Sequence, residues 1–120
     1  MDVKHRANGW PLVGCIIMVD AFDSENGATR FVPGSHLWTR TPTEADASVF
    51  ACGAAGSLIV FNGSAWHGHS ANMSAEPRRS IQGAFIPRTG QAAVDWGERV
   101  PPETLTRLGD LARYVLAVPG

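Results

Sequence analysis

The sequence predicts an all-β fold of antiparallel strands, a sandwich or barrel, followed by one C-terminal helix. Apolar runs of strand length recur along the first two thirds of the chain, and Gly-, Asn- and Pro-containing turns separate them. Helical spacing is confined to the tail.

Leu12 to Val19 (LVGCIIMV) is an apolar, β-branched run whose length suits a strand buried on both faces better than a helix. Asp23 to Gly27 reads as a turn. Asn26-Gly27 is a strong hairpin signal, because both residues tolerate positive φ. Ala28 to Val32 is then expected as the returning strand, stopped by Pro33-Gly34. Residues 37–55 are polar and rich in Pro, Thr and Ala, and read as a long loop. Gly56 to Phe61, Ala65 to Ala71 and Arg79 to Ile86 are three further strand candidates. After Pro101-Pro102, the residues Leu105, Leu108, Leu111 and Val115 fall on one helical face, and Pro119-Gly120 ends the pattern.

The 120 residues suffice for one domain, and 44% hydrophobic content can supply a packed core. A formal net charge of −1 leaves no electrostatic footprint for nucleic acid or an anionic membrane, and neither is an expected partner. Cys15 and Cys52 are the only cysteines. No charged segment followed by an apolar one opens the chain, and Pro11 to Val19 is too short to span a bilayer. A reducing, cytoplasmic setting is expected.

Segment 65–79, AWHGHSANMSAEPRR, carries most of the chemistry. In a strand, His67 and His69 share a face, so two imidazoles can line a cavity. Neutral imidazole is a common metal ligand. Spacing alone does not separate such a pair from ordinary edge-strand histidines. Arg78 and Arg79 follow at a strand start with Ser80 and Gln82. An arginine there suits a bidentate carboxylate, and equally suits solvent. Asp2 is a candidate hard oxygen ligand or a solvated terminal acid.

Taken in order, these pieces resemble the phytanoyl-CoA dioxygenase family, over residues 2 to about 88. The resemblance rests on PLVGCIIMVDAFDSENGATRFVPGSH, on GSLIVFNGSAWHG, on SANMSAEPRR, and on the eleven-residue step from His67 to Arg78. It implies a double-stranded β-helix (a cupin-like jelly roll) lacking its N-terminal part. A partial core would cover residues 1–100 and a helical tail 101–120. It implies Fe(II) and 2-oxoglutarate as cofactors and hydroxylation of a small organic substrate. His67 would be the distal metal ligand, and Arg78 would bind the C5 carboxylate of 2-oxoglutarate with help from Ser80. His69 stands where the family has a small residue, and His36 of PGSH reads as a turn residue. The alternatives are a non-catalytic or truncated jelly-roll module that binds a small acid or a partner, and a cupin that uses His67 and His69 together.

The resemblance also places the proximal ligands. Asp2 fits the Asp of the family's His-x-Asp motif, and the matching His would fall immediately before Met1. His5 does not replace it, because no carboxylate stands two residues on. With Asp2 and His67 alone, metal affinity should fall, and uncovered sheet edges should favour a homo-oligomer. A histidine codon is therefore expected directly upstream of the Met1 codon, in frame with further coding sequence. Genomic sequencing tests this, and an in-frame stop codon there would refute it.

Overall fold

A computed structural model describes residues 10–119 of the chain, and among these six short strands form two antiparallel sheets. Asp2 and His5 lie outside the described residues. The chain divides after Pro87 into two units, described separately.

The first unit contains β1 (Val13–Met18), β2 (Thr29–Phe31), β3 (Val49–Phe50), β4 (Leu58–Asn62), β5 (His67–His69) and β6 (Ser80–Phe85). One sheet has the order β4-β1-β6 and the other β3-β2-β5. Register places Ile16 opposite Ile59 and Gln82, and Gly14 opposite Phe61 and Ala84. One face of the first sheet therefore carries Gly14, Ile16 and Met18, flanked by Ile59, Phe61, Ser80, Gln82 and Ala84. Ile16, Met18, Phe22 and Ala28 form the core, with Phe31, Ile59 and Phe61 packed against it. Each large apolar side chain fully buried here contributes about 1.5–3 kcal/mol. A Cβ at Gly14 would collide with the Phe61 ring, so this position must stay bare.

Three expectations from the sequence need correction. First, β1 is not buried on both faces. Ile17, Val19, Leu58, Val60, Ile81 and Phe85 are all exposed. An unbroken apolar run has no alternation, so it cannot reveal that only one side is covered.

Second, Asn26-Gly27 does not close a hairpin, because β1 pairs with β4 and β6 while β2 pairs with β3 and β5. Side chains close this turn. Asp23 Oδ1 accepts from the Glu25 and Asn26 N–H groups, and Asn26 Oδ1 accepts from the Asp23 N–H. Gly27 takes φ +82°. Bridges from Phe22 to Gly53 and from Asn26 to Asn72 hold the crossing segment, which passes from one sheet to the other.

Third, the supposed loop at 37–55 contains β3, and its remainder is ordered. Asp46 accepts a bidentate pair from Arg40 and further bonds from the Thr43 N–H and hydroxyl.

The second unit holds three short helices rather than one: α1 (Trp96–Arg99), α2 (Pro102–Leu105) and α3 (Asp110–Leu116). Asp95 caps α1 by accepting from the Gly97 N–H. The chain leaves helical geometry at Gly109, which is extended, so Leu111 and Val115 are exposed and do not continue the Leu105–Leu108 face. Arg113 stabilises the break by donating to the carbonyls of Leu105, Leu108 and Pro119. Leu105 is the last residue of α2, so its carbonyl has no partner within the helix. No helix among the described residues is long and apolar enough to cross a membrane.

The end of β1 is tied to the start of β6 by one charged clamp. Asp20 accepts from the Arg79 backbone N–H at 2.7 Å and from its guanidinium at 2.9 and 2.8 Å. The Val19 and Asp20 N–H groups donate in return to the Arg79 carbonyl. The Arg79 guanidinium, then its backbone N–H, lowers the Asp20 pKa to about 2. A depressed carboxylate pKa stabilises the fold above the unfolded value of 3.8, and this is lost as pH falls through about 2. Thermal melts should show Asp20→Asn less stable than wild type at pH 6, with the gap closing toward pH 2. A gap that stays constant over that range would contradict the clamp.

Candidate functional site

His67 opens β5, an edge strand whose partner β2 places Phe31 opposite His67 and Thr29 opposite His69. The His67 ring stacks on Phe31 at 5.5 Å and 21°, and meets Phe61 edge-on at 4.8 Å and 63°. Phe31 and Phe61 meet edge-on at 4.9 Å. The imidazole is thus gripped by aromatic rings from both sheets. Its Nδ1 lies 2.8 Å from the Ala65 carbonyl. A carbonyl oxygen only accepts, so Nδ1 carries the proton and Nε2 presents its lone pair. This is the orientation a metal-ligating histidine needs, with the other ring nitrogen fixed by a backbone acceptor.

The segment PGSH explains how the approach to His67 is held. Gly34 takes φ +77° and leads into a 3-10 turn at Ser35–Leu37. Ser35 is fully buried, and its hydroxyl accepts from the Trp66 N–H at 2.7 Å. The Val32 N–H donates to the Trp66 carbonyl. Both backbone groups of the residue before His67 are therefore engaged. His36 lies in the turn, as the sequence suggests.

His67, His69 and Gln82 line one cleft of about 500 Å³, with Ile16, Thr29 and Phe61 among its walls. The cleft is about the size of a small-molecule site. The Thr29 hydroxyl is buried there and has no partner among the described residues.

The arginine pair is divided. Arg79 is bound to Asp20. Arg78 has its Cζ 4.0 Å above the Phe22 ring, and its Nε and Nη1 are buried without a hydrogen-bond partner among the described residues. Arg78 stands over Phe22 and is not part of the cleft wall. Ser80 begins β6, paired with Met18.

The eleven-residue step between His67 and Arg78 is a crossing from the second sheet to the first. Asn72 shapes it: its Oδ1 accepts from the Ser74 N–H and hydroxyl, and its Nδ2 donates to the Glu76 carbonyl. The Met73 N–H donates to Glu25, fastening the crossing to the Asn26 turn.

No group of three or more metal-ligating side chains occurs among the described residues, and Asp2 lies outside them. Phe22, Ser35 and the Phe31–Phe61 pair support the site, yet none stood out as a candidate from residue type alone. Their only signal was their place inside DAFDSENG, ATRFVPGSH and GSLIVFNG.

Comparison with known proteins adds the family. Dioxygenase cdmA of Talaromyces verruculosus is 42% identical over 83 residues, 65% of this chain and 28% of that protein. Dioxygenase trt7 of Aspergillus terreus is 38% identical over 77 residues, covering 62% and 27%. Dioxygenase andF of Emericella variicolor is 41% identical over 98 residues, covering 79% and 34%. The chain thus spans about a third or less of the length of these relatives. Residues 5–80 match the family model of phytanoyl-CoA dioxygenase. The resemblance read from the motifs holds, and the chain belongs to the phytanoyl-CoA dioxygenase family.

Proposed function

We propose that the chain carries the distal metal ligand and the cosubstrate grip of an Fe(II)/2-oxoglutarate-dependent dioxygenase, in a double-stranded β-helix. The activity so supported is hydroxylation of a small organic substrate. The observation that carries this reading is Arg78, half-buried, whose Nε and Nη1 are covered yet unpaired among the described residues, beside a neighbour bound to Asp20. Native folds rarely leave buried charged donors without an acceptor, and a ligand carboxylate would supply one.

Among the described residues, His67 and Arg78 fit the cofactors. His67 offers a neutral Nε2 on a ring that aromatic contacts hold still, suited to Fe(II). Asp2 would supply the carboxylate ligand. Arg78 would receive the C5 carboxylate of 2-oxoglutarate, with Ser80 adding its hydroxyl. Fe(II) and 2-oxoglutarate, when bound, supply oxidising power from dioxygen, releasing succinate and CO₂ and placing one oxygen atom on the substrate. The protein's part is positional. The Ala65 carbonyl keeps the His67 proton on Nδ1, Ser35 keeps the strand entry fixed, and Asp20 keeps Arg79 from competing with Arg78. The apolar parts of the cleft wall exclude water from the substrate's side.

Two measurements on the full chain test these roles. In calorimetric titrations of 2-oxoglutarate with Mn(II) present, Arg78→Ala removes a charged hydrogen-bond partner worth on the order of 1.5–3 kcal/mol. It should therefore weaken binding at least tenfold, whereas Arg79→Ala should change it much less. Equal losses from the two arginines would overturn the assignment. In Co(II) titrations followed by visible absorption, His67→Ala should lower affinity at least tenfold while His69→Gly retains it. The reverse pattern would exchange the roles of the two histidines.

A further inference from the structure

An arginine that must meet a carboxylate needs its guanidinium plane fixed before the ligand arrives, and hydrogen bonds usually do this. At Arg78 they do not. Nε and Nη1 are buried with no acceptor among the described residues. The contact that remains is the ring of Phe22, 4.0 Å below Cζ. That ring is itself immobile. Phe22 is 2% exposed in the core, and its backbone N–H and carbonyl are both bonded to Gly53. The arginine's backbone is anchored at the next residue by the Asp20–Arg79 clamp. One end of the side chain is thus fixed through the main chain and the other by an aromatic face.

We propose that Phe22 is a positioning residue for a dicarboxylate ligand, its ring holding the Arg78 guanidinium plane so that in-plane N–H groups meet the distal carboxylate. This rests on the reading of Arg78 as the 2-oxoglutarate grip. The chemistry follows from guanidinium geometry. Its donors all lie in one plane, so a ring against the plane's face takes no donor itself while restricting tilt. A ring placed this way does not compete for the N–H groups, as an acidic neighbour would. The acid within reach, Asp20, is instead engaged by Arg79.

The test separates positioning from simple packing by using two 2-oxo acids. 2-Oxoglutarate has the distal carboxylate, whereas 2-oxobutanoate keeps the 2-oxo acid end and lacks it. Both are titrated calorimetrically into the full chain with Mn(II), as wild type, Phe22→Leu, Phe22→Met and Arg78→Ala. Loss of a desolvated cation–π contact predicts that the Phe22 variants bind 2-oxoglutarate about five- to thirtyfold more weakly. Their 2-oxobutanoate affinity should stay unchanged. Equal weakening of both acids would make Phe22 a packing residue and overturn the proposal. If Arg78→Ala leaves 2-oxoglutarate affinity intact, the underlying reading of Arg78 fails instead. A variant-free arm covers the case in which both Phe22 variants unfold. In the wild-type NMR spectrum the Arg78 Hε signal, displaced by the ring, should shift with 2-oxoglutarate and not with 2-oxobutanoate. An Hε signal at the ordinary arginine position, or one that shifts equally with both acids, would also overturn it.

Discussion

Phe61 lies across Gly14 on its own sheet and meets Phe31 and His67 of the facing one, and much of the first unit follows from that contact. The ring occupies the space a Gly14 side chain would need, which brings β4 and β1 into register on their inner face. The same ring abuts the His67 imidazole, so the contact joining the sheets also limits rotation of the candidate metal ligand. A ring held edge-on by one phenyl and stacked on another gives up little further freedom when its free nitrogen takes a metal. Packing and ligand orientation are one interaction here.

The loops around the site achieve the same fixity by different chemistry. Asp23 and Asn26, Asp46, and Asn72 each bond to backbone N–H or carbonyl groups within a few residues. Short polar side chains of this kind order a crossing segment without a β ladder. The first unit has short strands, so these turns carry a large share of its definition. His67 and Arg78 are connected through one such crossing, and its length is therefore a structural constant that the sequence can display.

Legibility followed the same division. The apolar runs at 12–19 and 56–61 reported strands directly, because both the length and the β-branched content of a strand are local properties. Pairing was not local. Asn26-Gly27 looked like a hairpin because the turn chemistry is right, yet β2 pairs with β3 and β5, far along the chain. The helical tail failed for a related reason. Leu105, Leu108, Leu111 and Val115 keep helical spacing across Gly109, but Arg113 can satisfy carbonyls exposed by a break, and periodicity cannot register that compensation. At the candidate site, His67 and Arg78 stood out through their ordered motifs, and their roles are part of the proposal. Phe22 and Ser35 were not, since their importance lies in contacts rather than in reactive groups.

The arginines show most clearly how function separates from stability in this fold. Arg30 donates to Ser48, Arg40 to Asp46, Arg79 to Asp20, Arg88 to the Tyr114 carbonyl, and Arg113 to three carbonyls. Each of these joins parts of its own unit. Arg78 is next to Arg79 in sequence and within electrostatic reach of the same Asp20, yet its Nε and Nη1 have no hydrogen-bond partner among the described residues. Were stability the only demand, a bond from Arg78 to Asp20 would relieve that cost. Asp20 instead binds Arg79 through both its backbone and its guanidinium, while the Arg78 Cζ lies 4.0 Å over the Phe22 ring. On the proposed reading, a charged group held in place without a partner among the described residues awaits a ligand, and a carboxylate is the ligand whose geometry answers it.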